Sequence, residues 1–432
     1  MTRSFQAVFE EQLAELPRAI ATELIRDKLE PMGLADNEPV VEALVAHLLS
    51  GADDGPLHLD VDLPEGASTD NIVLDFGDED LAFIARAEAA FHDELPGLIQ
   101  ETARRAAKSM VAGYRASWSE FHAAEVAAIG DFRNNIETRW GEGFDLVRMM
   151  IEISREQGMA FDRRARRGRS NRNAHLNTAL VHLHARALQI AGEIMVLMES
   201  GYADGAMARW RTLHEVTCVA MVLKDGGDAL AQRYLEHDAV ECKKGLGQYQ
   251  QCHEALGFPP FSARDTKRIE KAYAAAIAKY GKDFGGDYGW VAAHVGVARP
   301  NFSQIEAAAG RAMMRTYYKM ASHNVHAGAK GIMTRLSAFD PGLTAIAGAS
   351  NVGFSEPGQN LALSLLHFTM LLLPRRWTLD KIALLMGIFD LEKRVGPALL
   401  KAQRRIDREE RQVRRLLAEV RTERAKRAAG KR

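Results

Sequence analysis

Cysteine is nearly absent from this chain. Cys218, Cys242 and Cys252 are an odd number, and their spacing is not that of a zinc knuckle. A disulfide framework and a cysteine-held structural metal are thereby excluded, and a reducing, cytoplasmic setting is expected. Long apolar runs are also missing. The longest, Leu361 to Leu373, is broken by polar residues and is shorter than the roughly 20 needed to cross a bilayer, so no membrane partner is expected. The opening stretch MTRSFQAVFEEQLAEL is acidic and amphipathic rather than basic and then apolar, so no signal peptide is expected. Net charge is close to nil, at -1 over 432 residues. With 47% hydrophobic and 26% charged residues, the composition is that of a folded globular protein and excludes a disordered chain.

The charge is unevenly distributed. Ala35 to Glu94 hold sixteen acidic residues and one basic, whereas Leu391 to Arg432 hold fifteen basic and six acidic. Arg163 to Arg172 add six arginines in ten residues. The basic regions suit RNA or another polyanion, and the acidic segment could compete with that partner for them.

The periodicity predicts a mainly α protein: a helical bundle with a small N-terminal β-hairpin and a basic C-terminal helix. LHLDVDL (57–63) and NIVLDF (71–76) alternate apolar and acidic residues about a polar turn, giving the hairpin at 57–76 within an acidic N-terminal region, 1–97. Long helices with breaks at Pro96 and at Gly141 to Gly143, followed by the arginine-rich loop, occupy 98–172. Within them Phe132, Ile136, Trp140, Phe144, Val147 and Ile151 form a stripe. The bundle core is expected over 173–390 and a basic helical tail over 391–432. Ser262 with Asp265, and Ser303 with Glu306, read as capping boxes.

The chain is organised around Gly201 to Glu215, GYADGAMARWRTLHE. Gly201 reads as a left-handed helix end and Asp204 as the cap of the next helix, which makes an αα-hairpin. At about 100° per residue, Met207, Arg211, His214, Glu215, Cys218 and Val222 share one face, and Arg209 lies on the opposite one. Arginines inside so apolar a helix need anionic partners. Glu215 is one turn from Arg211, and the hairpin brings Glu193 level with positions 209 to 211, so Arg211 is expected to meet both carboxylates, with His326 facing the same cluster.

GYADGAMARWRTLHE, then DYGW (287–290), then Tyr318 with SHNVHAG (322–328), resemble in order the signature of the bacterial helical domain family DUF5677. Arg211, Thr212 and Glu215 match its Arg-Thr/Ser-x-x-Glu core, and Ser322 and His326 its late segment. The resemblance covers roughly residues 130–390 and implies a helical fold and no established activity. Arg209 and His214 also have the Arg-x4-His spacing of HEPN-type proteins. That likeness implies a dimeric, metal-independent ribonuclease of bacterial defence or stress.

Two readings stay open. In the catalytic one, His214 or His326 moves protons while Arg209, Arg211 and Glu215 manage charge on a phosphate. In the other, Glu193, Trp290, Tyr318, Ser322 and His323 complete a non-catalytic ligand or partner site around a structural ion-pair core. No cofactor is expected. A metal held by His323 and His326 with carboxylates is disfavoured, because no Glu-x-x-His pair occurs on two helices.

Overall fold

The computed structural model describes residues 5–51, 57–58, 73–167, 173–338 and 346–429. Among them the chain is mainly α and has no strand. The helices are α1 (Phe5–Ala14), α2 (Leu16–Leu29), α3 (Glu38–Ser50), α4 (Asp78–Arg167), α5 (Ala174–Glu199), α6 (Ala203–Glu236) and α7 (Asp238–Cys252). They continue with α8 (Ala263–Tyr280), α9 (Ala292–Val295), α10 (Phe302–Ala308), α11 (Arg315–His323), α12 (Ala329–Met333), α13 (Ser355–Leu372) and α14 (Leu379–Ala429). The described ends of the expected hairpin, 57–58 and 73–77, are coil, and its body, 59–72, lies outside the described residues.

Where the sequence suggested boundaries near 97, 172 and 390, the chain forms two compact units, Met1–Val126 and Ala127–Arg432. The first unit has its own small core, in which Ile25 and Leu29 of α2 pack with Val41 and Val45 of α3 and with Leu34 between them. Asn37 caps α3 by accepting the Val40 amide.

In the second unit, α5 and α6 form the expected hairpin. Gly201 takes φ 89°, the Tyr202 amide returns to Leu197 O and the Gly201 amide to Met198 O, so the end of α5 is closed as a left-handed turn. Asp204 does not cap its own helix. Its carboxylate accepts the Leu336 and Ser337 amides and the Ser337 hydroxyl, tying the start of α6 to a distant segment. α5 is long and apolar enough, by length and composition alone, to cross a membrane. Here Leu180, Ala187, Ile190 and Ile194 are fully buried in the core with Trp140 and Phe144 of α4 and Leu361, Leu365 and Phe368 of α13.

Neither expected break interrupts α4, which contains Pro96 and runs through Gly141 and Gly143. Gly143 serves packing: a Cβ there would stand 2.4 Å from Leu399 Cδ2, so its absence lets α14 lie against α4. The inner half of the tail is docked by Val395, Leu399 and Ile406, all buried, whereas Val413 and Val420, on the same heptad stripe, are exposed. α6 is kinked at Gly227 (φ 71°, ψ -163°), beyond which Asp228 takes the Leu176 amide and His175 Nδ1.

Candidate functional site

The site is carried by one face of α6 and the short elements α10 and α11 that cover it. On α10, Phe302, Ile305, Glu306 and Ala309 lie at helical spacing and are all buried, so a carboxylate sits on the apolar face. The capping box of α10 is Asn301 with Gln304, not Ser303 with Glu306, and this leaves the Glu306 side chain free to point inward. Glu306 Oε1 meets His214 Nε2 at 2.9 Å, and Oε2 meets Arg315 Nε at 3.2 Å. The His214 ring is enclosed by Trp210, Phe302 and Tyr318, with centroids 5.3 to 6.1 Å away. Trp210 is itself anchored by its indole N–H on Asn360 O and Ser364 Oγ.

One turn earlier on α6, Arg211 Nη2 donates to the Tyr318 hydroxyl at 2.6 Å and lies 3.3 Å from Glu215 Oε1. The Tyr318 hydroxyl donates to that same Glu215 oxygen at 2.5 Å. The guanidiniums of Arg211 and Arg315 both lie against the Tyr318 ring, 4.7 and 5.3 Å from its centroid. Tyr318 thus joins the Arg211–Glu215 pair to the His214–Glu306–Arg315 chain.

Electrostatics define the resting state of these groups. Burial pushes His214 below the ordinary imidazole range even though Glu306 pulls it upward, so the ring is neutral and its Nε2–H donates to Glu306. Burial, reinforced by Glu306, pushes the Cys218 thiol up to about 12, so it stays protonated 3.6 Å from His214 Nε2. Burial and the Glu215 hydrogen bond push the Tyr318 hydroxyl well above its usual value. His367 of α13 is held at about 4 by burial, with Arg311 and His214 also acting against its protonation.

Arg311, between α10 and α11, is the odd group. Its charge acts on His214, Cys218 and His367, yet its side chain has no hydrogen bond or ion pair with any described residue, and its Nε is buried without a partner. Burial pulls it below the ordinary arginine value. The Arg211 Nε is likewise buried and unpartnered. The cluster therefore sets three guanidiniums, Arg211, Arg311 and Arg315, against two carboxylates, Glu215 and Glu306.

Of the residues singled out from the sequence, Arg211, His214, Glu215 and Tyr318 stand together. Glu193 does not reach Arg211. It pairs with Arg209, which is on the opposite side of α6, and Arg209 also touches Thr212. His326 lies beyond the end of α11, is exposed, and makes no side-chain hydrogen bond or ion pair with any described residue. His323 closes α11 half-buried, and Ser322 donates to Tyr318 O. Trp290 packs edge-on against Tyr234, and its carbonyl takes Arg233 Nε, so its contacts are with a separate aromatic cluster. Glu306, Arg311, Arg315, Cys218 and His367 were not among the expected site residues. The 4, 3, 4 spacing of Arg311, Arg315, Tyr318 and Ser322 is the signal that could have found two of them. Among the described residues no group of three or more His, Cys, Asp or Glu side chains is placed to hold a metal ion.

Fold and cluster together define an all-helical domain with a buried arginine–carboxylate centre. Residues 177–343 match DUF5677, a family of unknown function. The matched span is narrower than 130–390 and holds all of the cluster except His367. No curated protein and no solved structure matches the chain.

Proposed function

We propose that the DUF5677 region binds a small anionic ligand, one bearing a phosphate or carboxylate group, beside Arg311, Arg315 and Arg211. The observation that carries this is the Arg311 guanidinium, half-buried and, among the described residues, unpaired in a cluster with one more cation than anions. A desolvated guanidinium is costly unless an anion meets it, and its planar fork suits oxyanions. The rest of the cluster favours holding over turning over. Cys218 and Tyr318 are protonated, and the His214 nitrogen beside the thiol is already engaged by Glu306, so none of these three is an activated nucleophile.

Ribonuclease chemistry of the HEPN kind has less support. It needs Arg209 and His214 to converge, but Glu193 engages one and Glu306 the other, from faces of α6 about 140° apart. Thermal-shift measurements with phosphate, pyrophosphate, nucleotides and citrate test the proposal. A saturable rise in Tm with one of these anions, absent in Arg311→Gln, is expected. Cleavage of RNA without metal, abolished by a folded His214→Ala variant, would replace this reading with the catalytic one.

A further inference from the structure

A second cationic region lies elsewhere in the same unit. Arg164, near the end of α4, donates Nη2 to Leu372 O at 2.7 Å and so fixes that end against the last residue of α13. Lys224 of α6 reaches Phe161 of α4, 6.0 Å from the ring centroid, and makes no hydrogen bond or ion pair with any described residue. Burial, then Arg375 and Arg164, pull its ammonium below the ordinary lysine value. Lys224, Arg164 and Arg375 thus form a cationic group, with Arg376 next in sequence.

An apolar stripe begins immediately beyond. Trp377, Leu379, Ile382, Met386 and Phe389 are 67, 82, 42, 69 and 38% exposed. On α14, positions 379, 382, 386 and 389 fall within about 80° of arc, so they share one face. Beside Ile382, Met386 and Phe389 runs a groove of about 480 Å³ that Trp377 also lines. Lys381 lies 4.0 Å from the Trp377 ring centroid and is tied to Pro374 O, which holds the aromatic at the head of the stripe. Lys393 and Arg394 close its far end. The acidic residues of this stretch are Asp380, Asp390 and Glu392, and Asp390 is already paired with Arg394.

We propose that this face, the Trp377–Phe389 stripe flanked by Arg375, Arg376 and Lys224, is a peripheral docking surface for an anionic lipid bilayer. The expectation of no membrane partner was drawn from spanning segments and does not bear on such a surface, which lies along the interface instead of crossing it. A basic helix with tryptophan and large aliphatic residues on one face gains from both apolar insertion and anionic headgroups. Charge complementarity selects this occupant. A second copy docked face to face would set the same cations against each other. Nucleic acid would satisfy the cations but leave Leu379, Ile382 and Met386 against a polar backbone.

The test is flotation of the full chain with phosphatidylcholine vesicles, with and without phosphatidylglycerol, at low and high salt. Binding to the anionic vesicles alone, weakened by salt, is expected. The double substitution Leu379→Asp with Met386→Asp lowers partitioning on the order of tenfold or more. Arg375→Gln with Arg376→Gln lowers it about tenfold. All four positions are exposed, and circular dichroism checks folding. Failure to bind anionic vesicles overturns the proposal, as does binding indifferent to the aspartates. Polyuridylate binding that depends on Arg375 but not Met386 assigns the face to nucleic acid instead. A dimer dispersed by Met386→Asp assigns it to a second copy.

Discussion

His214 Nε2 and Glu306 Oε1 are 2.9 Å apart across 92 residues of sequence, and both side chains are almost wholly buried. The same carboxylate also holds Arg315. Removing it leaves a guanidinium and an imidazole N–H without their acceptor, so Glu306→Ala is expected to cost roughly 3–5 kcal/mol in urea denaturation. Glu193→Ala removes the partner of Arg209 at a site where both side chains are about a third exposed, and should cost no more than about 1 kcal/mol. Equal losses in the two variants would contradict the central place given to Glu306.

Tyr318 bridges two charged groups through one hydroxyl. Tyr318→Phe keeps the ring against Arg211 and Arg315 but deprives Arg211 of an acceptor and Glu215 of a donor. A loss of roughly 1–3 kcal/mol is expected, the range for buried hydrogen-bonding groups left unmatched. A loss within error would show that the pair is solvated well enough without the hydroxyl.

Acid should destabilise the second unit through its buried histidines. His184, placed by Ser154 at 3.1 Å with Thr369 behind it, is held by burial at about 4, below the ordinary 6.5. Because the folded value is the lower one, the unfolded chain takes up the proton first. The stability from neutral His184 is complete above about pH 6.5 and is lost as pH falls toward about 4. This gap corresponds to roughly 3 kcal/mol, and His367 acts in the same direction. Urea midpoints between about pH 7 and pH 4 should fall steeply, and less so in His184→Asn. A flat profile would contradict the neutral buried ring.

Gly158 is the structural counterpart of His184. A Cβ at Gly158 would stand 2.1 Å from His184 Cε1, so the ring would have to leave Ser154. Gly158→Ala, although favourable for an isolated helix, is expected to destabilise by about 1–3 kcal/mol. Unchanged thermal stability would show that the ring has another position available.

Periodicity revealed the α4 stripe, the α5–α6 hairpin and the Arg211–Glu215 pair because each follows from residues close in sequence on one helix face. It was less informative where a residue type has two uses. Gly143 resembles a helix break, but serves close packing against Leu399. Glu306 resembles a capping partner of Ser303, but lies on the buried face of α10. Arg209 and Arg211 are two residues apart on faces about 160° apart, so one carboxylate on α5 can serve only one of them, and it serves Arg209. Tyr318 was named among the ligand-binding residues, but its hydroxyl joins elements separated by 107 positions, and no periodicity reports such a contact. The unpaired state of Arg311 depends on what the fold fails to bring near it, which no local pattern encodes.

The central claim is that Arg311 is unpaired because it receives an anion. Isothermal titration with inorganic pyrophosphate tests it directly, using the full chain and Arg311→Gln, the latter checked for folding. The account predicts saturable binding to the wild-type chain, binding at least about tenfold weaker in Arg311→Gln, and an unliganded variant at least as stable as wild type. Equal affinity in both proteins, or a variant that unfolds as Glu306→Ala should, would contradict it.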